Sequence, residues 1–374
     1  MHVVAYVQLG RLVKPTGVGR VIDCLCRHLC EQDGIHISVL SSRSDFKARH
    51  NALPSWWQHA HYSLFPAPVR MQQASWLFLG QPPAVRYFGK ADVLWVTTEC
   101  YVPGARCPNI VSVHDLHYFD LSDSPVAYPA YVRLKWRITF QRVVKRADRI
   151  HAVSAFTAER LSHYFPEASA RIEVVPNPVD PVFFGQANKE AIYRLQNLGL
   201  NQRLFVFKPG GLSYRKNASL VGEVWRRVRR EIPNAWLVIA GSSSPYWEGT
   251  IGSPSEQVQT LGYVDDELLL GLYQCAAVVW FPSRYEGFGI PVLEAMAAGA
   301  PVLGSNAGAL PEVAGEAALL GGVDDVGFHA EALVSLLTSQ KLREAYAARG
   351  REQARRFAAP IVAAQFSSLL KSML

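Results

Sequence analysis

Ala277-Val-Val-Trp-Phe-Pro-Ser-Arg-Tyr-Glu286-Gly-Phe-Gly-Ile-Pro-Val-Leu-Glu294-Ala-Met-Ala-Ala298 is the stretch on which the fold turns. Ala277–Pro282 is a short apolar run of strand length, and Glu286-Gly-Phe-Gly289 is a glycine-rich turn. Pro291 suits the first position of a helix over Pro291–Ala298, because its missing amide would be unpaired there anyway. A strand that turns directly into a helix is half of a βαβ unit, and such units build parallel sheets. The helix start offers unpaired N–H groups and the positive end of a dipole, the glycines admit a ligand close to the backbone, and Glu294 falls in the first turn. A phosphate-bearing ligand with hydroxyls fits this turn, Glu286 accepting from one end of it and Glu294 from the other. The bland alternative is that the two glutamates merely cap helices.

The same alternation recurs on both sides. Strand-like runs occupy Val3–Gln8, His36–Ser41, Asp92–Val96, Asn109–Val113, Arg149–Val153 and Arg171–Val175, then Leu204–Lys208, Ala235–Ala240, Val258–Leu261 and Pro301–Gly304. Helical stretches near Ala218–Arg230 and Glu267–Cys275 lie between members of the second series. With 374 residues the chain exceeds one domain of roughly 100 to 200. The fold class is therefore α/β, with two doubly wound, Rossmann-like parallel-sheet domains. Val175-Pro-Asn-Pro-Val-Asp-Pro181 separates them, since three prolines remove amide donors and disfavour helix before each. The expected domains are residues 1–180 and 181–357, with a C-terminal helix over 358–374 that can pack back on the first.

Hydrophobic residues make up 49% and charged residues 18%, which excludes a disordered or fibrous chain. The net charge of +7 is unevenly placed: residues 1–185 carry 20 Lys and Arg against 14 Asp and Glu, whereas 186–374 carry 18 against 17. No run of apolar residues is long enough to span a membrane, and Met1–Gln8 lacks the marks of an export signal, so a cytoplasmic protein is expected. The six cysteines have neither CxxC spacing nor the density of a disulfide scaffold. Cys26 and Cys30 stand one helical turn apart, but no second His or Cys pair completes a zinc site.

Ligands of open parallel sheets bind beyond the carboxyl ends of the strands. Four segments stand there: Thr16-Gly-Val-Gly-Arg20, His114-Asp-Leu116, Gly210-Gly-Leu-Ser-Tyr-Arg-Lys-Asn217, and the Glu286–Glu294 turn. Arg215 can grip phosphate oxygens through its planar fork and Lys216 adds a compact charge. Taken alone, that segment also reads as a solvated basic turn.

Glu286-Gly-Phe-Gly-Ile-Pro-Val-Leu-Glu-Ala-Met-Ala-Ala-Gly299 resembles the Glu-x7-Glu signature of the retaining glycosyltransferases of family 4, which have the GT-B fold of two domains facing across a cleft. The resemblance extends over nearly the whole chain, through Thr16–Arg20, Val113–Leu116, Val153-Ser-Ala-Phe-Thr157, Val175-Pro-Asn177 and Arg215-Lys-Asn217. It implies that Gly17 and Gly19 form the N-terminal glycine loop against the donor. It implies further that Arg215 and Lys216 neutralise the donor diphosphate and that Glu294 binds the ribose hydroxyls. Glu286 with the Phe288 and Gly289 amides would hold the donor sugar, and His114 would face it. Two positions depart from the pattern. Gly210-Gly211 stands where many relatives have Gly-Arg, so Arg215 is expected to take the missing arginine's role, and Pro178 replaces a glycine and stiffens the hinge.

The expected function is transfer of a hexose, with retention, from a nucleotide-diphosphate sugar to a glycan or lipid-linked saccharide in bacterial surface polysaccharide synthesis. GDP-mannose or a related GDP-sugar is preferred, with UDP-glucose or a UDP-N-acetylhexosamine as the alternative. No Asp-x-Asp occurs, so departure of the diphosphate is expected to rest on Arg215 and Lys216 without a metal or other cofactor. The leaving phosphate would help deprotonate the acceptor; His114 as general base, or as a merely structural histidine, competes with this. Arg133–Arg149 has seven basic residues and one acid and reads as a basic helix. Its Arg133, Lys135, Arg137 and Arg142 either meet an acceptor at an anionic membrane surface, giving peripheral attachment at the inner face, or form a solvated face. Trp56, Trp57, Phe65, Trp76, Phe78, Tyr87 and Phe88 suggest an aromatic insertion that binds sugar or lipid, or else packs the core. A dehydrogenase would want a third glycine after Gly17-Val-Gly19, and no nucleic-acid motif appears. A non-catalytic nucleotide-sugar binder of the same fold stays open.

Overall fold

The computed structural model describes residues 1–13, 17–104, 106–121, 129–243, 247, 251 and 257–374. Two compact units divide the chain: Met1–Pro178 together with Ala359–Leu374, and Val179–Ala358. In the first, β1 (His2–Tyr6), β2 (His36–Ser42), β3 (His61–Phe65), β4 (Val93–Val96), β5 (Asn109–Val113), β6 (Arg149–Ala152) and β7 (Ile172–Val174) form one sheet in the order β3-β2-β1-β4-β5-β6-β7. In the second, β8 (Phe205–Pro209), β9 (Trp236–Ala240), β10 (Val258–Gly262), β11 (Val278–Phe281), β12 (Val302–Ser305) and β13 (Ala318–Gly321) are ordered β10-β9-β8-β11-β12-β13. Every pairing is parallel. In each sheet the order reverses beside the first strand, which opens a crevice at the strand ends on either side of β1–β4 and of β8–β11.

Central strands lie between layers of helices, so both their faces must be apolar. Val3 to Tyr6 are fully buried, and Val278 to Phe281 no more than 1% exposed. Two edge strands escape the sequence reading. His61–Phe65 is half exposed and mixes polar with apolar residues, while Ala318–Gly321 lacks β-branched residues and continues an alanine-rich stretch that reads as helix. An edge strand pairs on one side only and needs less apolar surface than a central one. The basic helix runs over Ala130–Arg146, and Arg149 belongs to β6, so the expected helix over Arg133–Arg149 ends a turn early. Ala147 leaves helical geometry at ψ 134° and turns the chain into the strand.

The chain enters the second unit at Val179, whose N–H donates to the Phe357 carbonyl at 2.9 Å. After Ala358 it returns as the helix Ala359–Lys371, which packs in the first unit against the helix Gly17–Cys30. Its Phe366 ring lies 4.9 Å from both Trp95 and His151. His151 is buried within a chain of hydrogen bonds. Val175 O, 2.7 Å from Nε2, can only accept, so that nitrogen carries the proton and Nδ1 accepts from the Ser112 hydroxyl at 2.9 Å. Ser112 Oγ accepts in turn from Trp95 Nε1 at 2.9 Å. The neutral ring is fully satisfied, and burial brings its pKa down to about 4 from 6.5, against the opposing pull of the Val175 carbonyl.

Above pH 6.5 both folded and unfolded chains hold His151 neutral; between 6.5 and about 4 only the unfolded chain takes up the proton, so stability falls with pH across that window. The full shift corresponds to on the order of 3 kcal/mol. Urea denaturation at a series of pH values should show this loss, and His151→Gln should flatten the curve between pH 6.5 and 4 relative to the parent. A curve that keeps its slope in the variant would assign the acid sensitivity to other groups.

Candidate functional site

In the second unit, two turns at neighbouring strand ends converge. β8 runs into Gly210 and Gly211, both at positive φ (85° and 68°), and then into the Arg215-Lys216-Asn217 turn. At Gly211 a Cβ would sit 1.9 Å from the Ser242 carbonyl oxygen, so only glycine permits the end of β8 to lie against the loop after β9. Asn217 is buried in the left-handed region and leads into the helix Ala218–Glu231, its amide donating to Val323 O at 2.5 Å. The second turn follows β11. Its Arg284 N–H donates to the Arg215 carbonyl at 2.9 Å, which ties the two turns together by their backbones.

Across this suture the side chains meet. Lys216 Nζ lies 2.5 Å from Glu286 Oε1, and Arg215 Nη1 lies 3.4 Å from Oε2. Glu286 is 6% exposed. Burial alone would raise its pKa, but the charges of Lys216 and Arg215, with hydrogen bonds from Lys216 and Ser283, outweigh it and hold the pKa below the usual value. The site therefore keeps an ionised carboxylate and the Lys216 ammonium largely out of water, with the Arg215 guanidinium one third exposed at its edge. The Ala309 N–H holds the Glu286 carbonyl at 2.9 Å, and Ser305 Oγ donates to the Ser283 carbonyl.

Gly289, at φ 100°, caps the helix Ile290–Ala298. Because its left-handed geometry lets the helix start at Ile290, Pro291 is the second helical residue and Glu294 the fifth, not in the first turn as expected. Glu294 is 1% exposed and accepts from the Tyr273 hydroxyl at 3.0 Å. Phe288 is buried and packs edge-on against Phe357 at 5.9 Å.

The sequence reading passed over two residues of this cluster. Tyr273, from the helix Asp266–Cys275, positions Glu294, and no local pattern couples residues 21 apart. Lys208, next to last in β8, is 1% exposed and donates to Gly211 O at 2.5 Å. A lysine inside an apolar strand is the signal that could have found it.

Other expected site residues belong to the first unit. His114 follows β5; its N–H donates to Glu99 Oε1 at 2.5 Å and its Nε2 to Thr97 O at 2.9 Å. Since a carbonyl only accepts, the neutral ring carries its proton on Nε2 and presents Nδ1 as acceptor; Nδ1 is buried and has no hydrogen-bond partner among the described residues. Gly17 and Gly19 stand in the first turn of the helix Gly17–Cys30, and a Cβ on Gly19 would lie 2.1 Å from Arg11 O. Thr16 lies outside the described residues. Arg133, Lys135 and Arg137 are exposed and Arg142 is half-buried, while Phe140 and Val143 on the same helix pack in the core. Of the aromatic insertion, Trp57, Phe65 and Trp76 are fully buried, with the Trp76 N–H satisfied by Pro82 O; Phe78 is 59% exposed. Burial also pushes the Cys26 thiol up, unfavourable for a metal thiolate, and among the described residues no group of three His, Cys, Asp or Glu converges to hold a metal ion.

Residues 189–353 match the family model described as glycosyl transferases group 1, and residues 15–183 match that of glycosyltransferase family 4. Among relatives, O-antigen chain mannosyltransferase B of Escherichia coli is 27% identical over 275 residues, covering 71% of each chain. The serotype-specific mannosyltransferase WbdA of Escherichia coli is 31% identical over 182 residues, 46% of this chain but only 22% of WbdA. Among solved structures, Anabaena HepE in complex with UDP and glucose superposes with a TM-score of 0.73 over 100% of both chains at 17% identity, a likeness of fold.

The buried pair carries a stability prediction. Removing one member of a buried ion pair leaves the other charge uncompensated, at a cost of about 3–5 kcal/mol. Glu286→Gln should show a loss of this order in chemical denaturation, and adding Lys216→Met should recover part of it. Equal stability of the single and double variants would mean that the two side chains are not energetically coupled.

Proposed function

The chain belongs to glycosyltransferase family 4 and has the GT-B fold, and from that membership we propose that it moves a hexose from a nucleotide-diphosphate sugar to a glycan or lipid-linked saccharide, with retention of configuration and without a metal. The observation that carries this reading is the Arg215–Lys216–Glu286 cluster beside the start of the helix Ile290–Ala298. Breaking the bond between the anomeric carbon and the phosphate oxygen leaves the electron pair on the diphosphate. Arg215, Lys216 and the helix N-terminus supply preorganised positive charge for it. Glu286, ionised, accepts hydroxyls of the donor sugar with the Phe288 and Gly289 amides alongside, and Glu294, oriented by Tyr273, accepts from the ribose. The acceptor oxygen bonds the anomeric carbon on the face the phosphate leaves, and its proton passes to the departing phosphate oxygen. The family pattern also assigns His114, Gly17 and Gly19 of the first unit to the donor.

The mannosyltransferase relatives support mannose as the sugar and surface polysaccharide as the product, and GDP-mannose is the donor this reading prefers. A thermal-shift and donor-hydrolysis panel of GDP, UDP, ADP and dTDP sugars, run with and without excess EDTA, tests this. A ligand at 100 times its Kd adds about 2.7 kcal/mol, a shift of several degrees. GDP-mannose should give the largest shift and hydrolysis should persist in EDTA; loss of activity in EDTA with recovery on added magnesium would reject metal independence. Glu294→Ala should weaken nucleotide binding tenfold or more, and unchanged affinity would remove the ribose assignment.

Acceptor presentation at an anionic membrane belongs to the same reading. No described helix is long and apolar enough to cross a membrane, but Arg133, Lys135 and Arg137 stand exposed beside Tyr131 and Leu134, which are 74% and 58% exposed. Basic residues near such a surface contribute about 1 kcal/mol each. Vesicle co-sedimentation should show salt-sensitive binding that is lost when Arg133, Lys135, Arg137 and Arg142 are changed to Gln. Failure of the parent protein to sediment at low salt would make this helix a solvated face.

A further inference from the structure

Lys208 is a charged residue type, next to last in a strand whose other members are apolar, and it is 1% exposed. Its amine donates to Gly211 O at 2.5 Å and to Pro209 O at 3.5 Å, and no carboxylate pairs with it among the described residues. The charges acting on it are Lys216 and Arg215, which oppose its protonation, and Glu286, which favours it. Gly211 is the residue whose carbonyl it holds, and Gly210 and Gly211 carry the chain from β8 toward Arg215. We propose that Lys208 is a proton-coupled positioning residue of this site: binding of a diphosphate beside Arg215 and Lys216 draws a proton from solvent onto its amine, and the ammonium so formed clamps the Gly210–Gly211 turn. This rests on the donor-site reading above.

In the free protein, burial first, and then the neighbouring Lys216 and Arg215, bring the amine's pKa down to about 7, so that near neutral pH it is only partly charged. A diphosphate adds two negative charges and engages the cations that oppose Lys208, while the carboxylate of Glu286 remains. Both changes favour the ammonium form, and an opposite charge within reach raises such a pKa by about 1–3 units. Proton uptake on binding then makes affinity fall as pH rises from 7, by at most about tenfold per unit.

Calorimetric titration of GDP-mannose and UDP-glucose at pH 8, in Tris and in HEPES, reads the coupling directly, because the difference in heat between the buffers counts protons. A nucleotide-sugar diphosphate does not itself titrate near pH 8. The parent protein should take up about half a proton or more per ligand. Lys208→Met and Lys208→Arg should both abolish the uptake, Arg because it is charged throughout, and both should flatten the dependence of Kd on pH. Binding without uptake by the parent protein overturns the role of Lys208 whether or not the variants fold, as does uptake that survives in either variant. If neither donor binds at any pH, the donor-site reading fails and takes this inference with it.

Discussion

A carboxylate taken out of water must be compensated where it lies, and the carboxyl-end edge of the second sheet is organised by that requirement at Glu286. Its two cationic partners come from a different turn, after β8, so the ion pair is also a clamp between strand ends. Hydrogen bonds to backbone carbonyls reinforce the clamp from three directions: Arg284 N–H to Arg215, Ala309 N–H to Glu286, and the Ser305 hydroxyl to Ser283. The charges are thus aimed before any ligand arrives. A site built this way gives up little in reorganisation when an anion enters, which is how fixed positive charge is most useful to a departing leaving group.

Glycines make the clamp geometrically attainable. A Cβ at Gly308 would stand 2.3 Å from the Glu286 carbonyl oxygen, and one at Gly289 would stand 2.6 Å from the Leu310 side chain. Gly308, together with Gly211 against Ser242, lets loops from separate strands approach to backbone distance, and Gly289 makes room for the Leu310 side chain. The glycine-rich character of the site is therefore as much a packing demand between loops as a provision for ligand approach.

The first unit solves a similar burial problem without net charge. Trp95, Ser112 and His151 pass hydrogen bonds in one direction to the Val175 carbonyl, and the chain's C-terminal helix lays Phe366 over the imidazole. His114 uses the same device, giving its Nε2 proton to a backbone carbonyl, but leaves Nδ1 available as an acceptor. The two rings differ at Nδ1, which Ser112 satisfies in His151 and no described residue satisfies in His114.

By itself the sequence determined the alternation of strand and helix, the parallel sense of both sheets, and the two segments that carry Arg215, Lys216, Glu286 and Glu294. Each of these is written in local apolar periodicity, glycine and proline placement, or a short motif, and local rules suffice to read them. Edge strands His61–Phe65 and Ala318–Gly321 were not legible, because a strand paired on one side needs no distinctive apolar run. The helix end at Arg146 falls three residues before the expected Arg149 and the helix start at Ile290 one before the expected Pro291, because the backbone geometry of Ala147 and Gly289 sets them. The tertiary structure alone decided that Glu286 pairs with both Lys216 and Arg215, that Tyr273 orients Glu294, and that Lys208 lies sealed behind the site. Those partners are 21 to 71 residues apart or distinguished only by burial. Their meeting depends on strand order, which places β11 beside β8 across the intervening β9 and β10, and no local pattern in the chain encodes that neighbourhood.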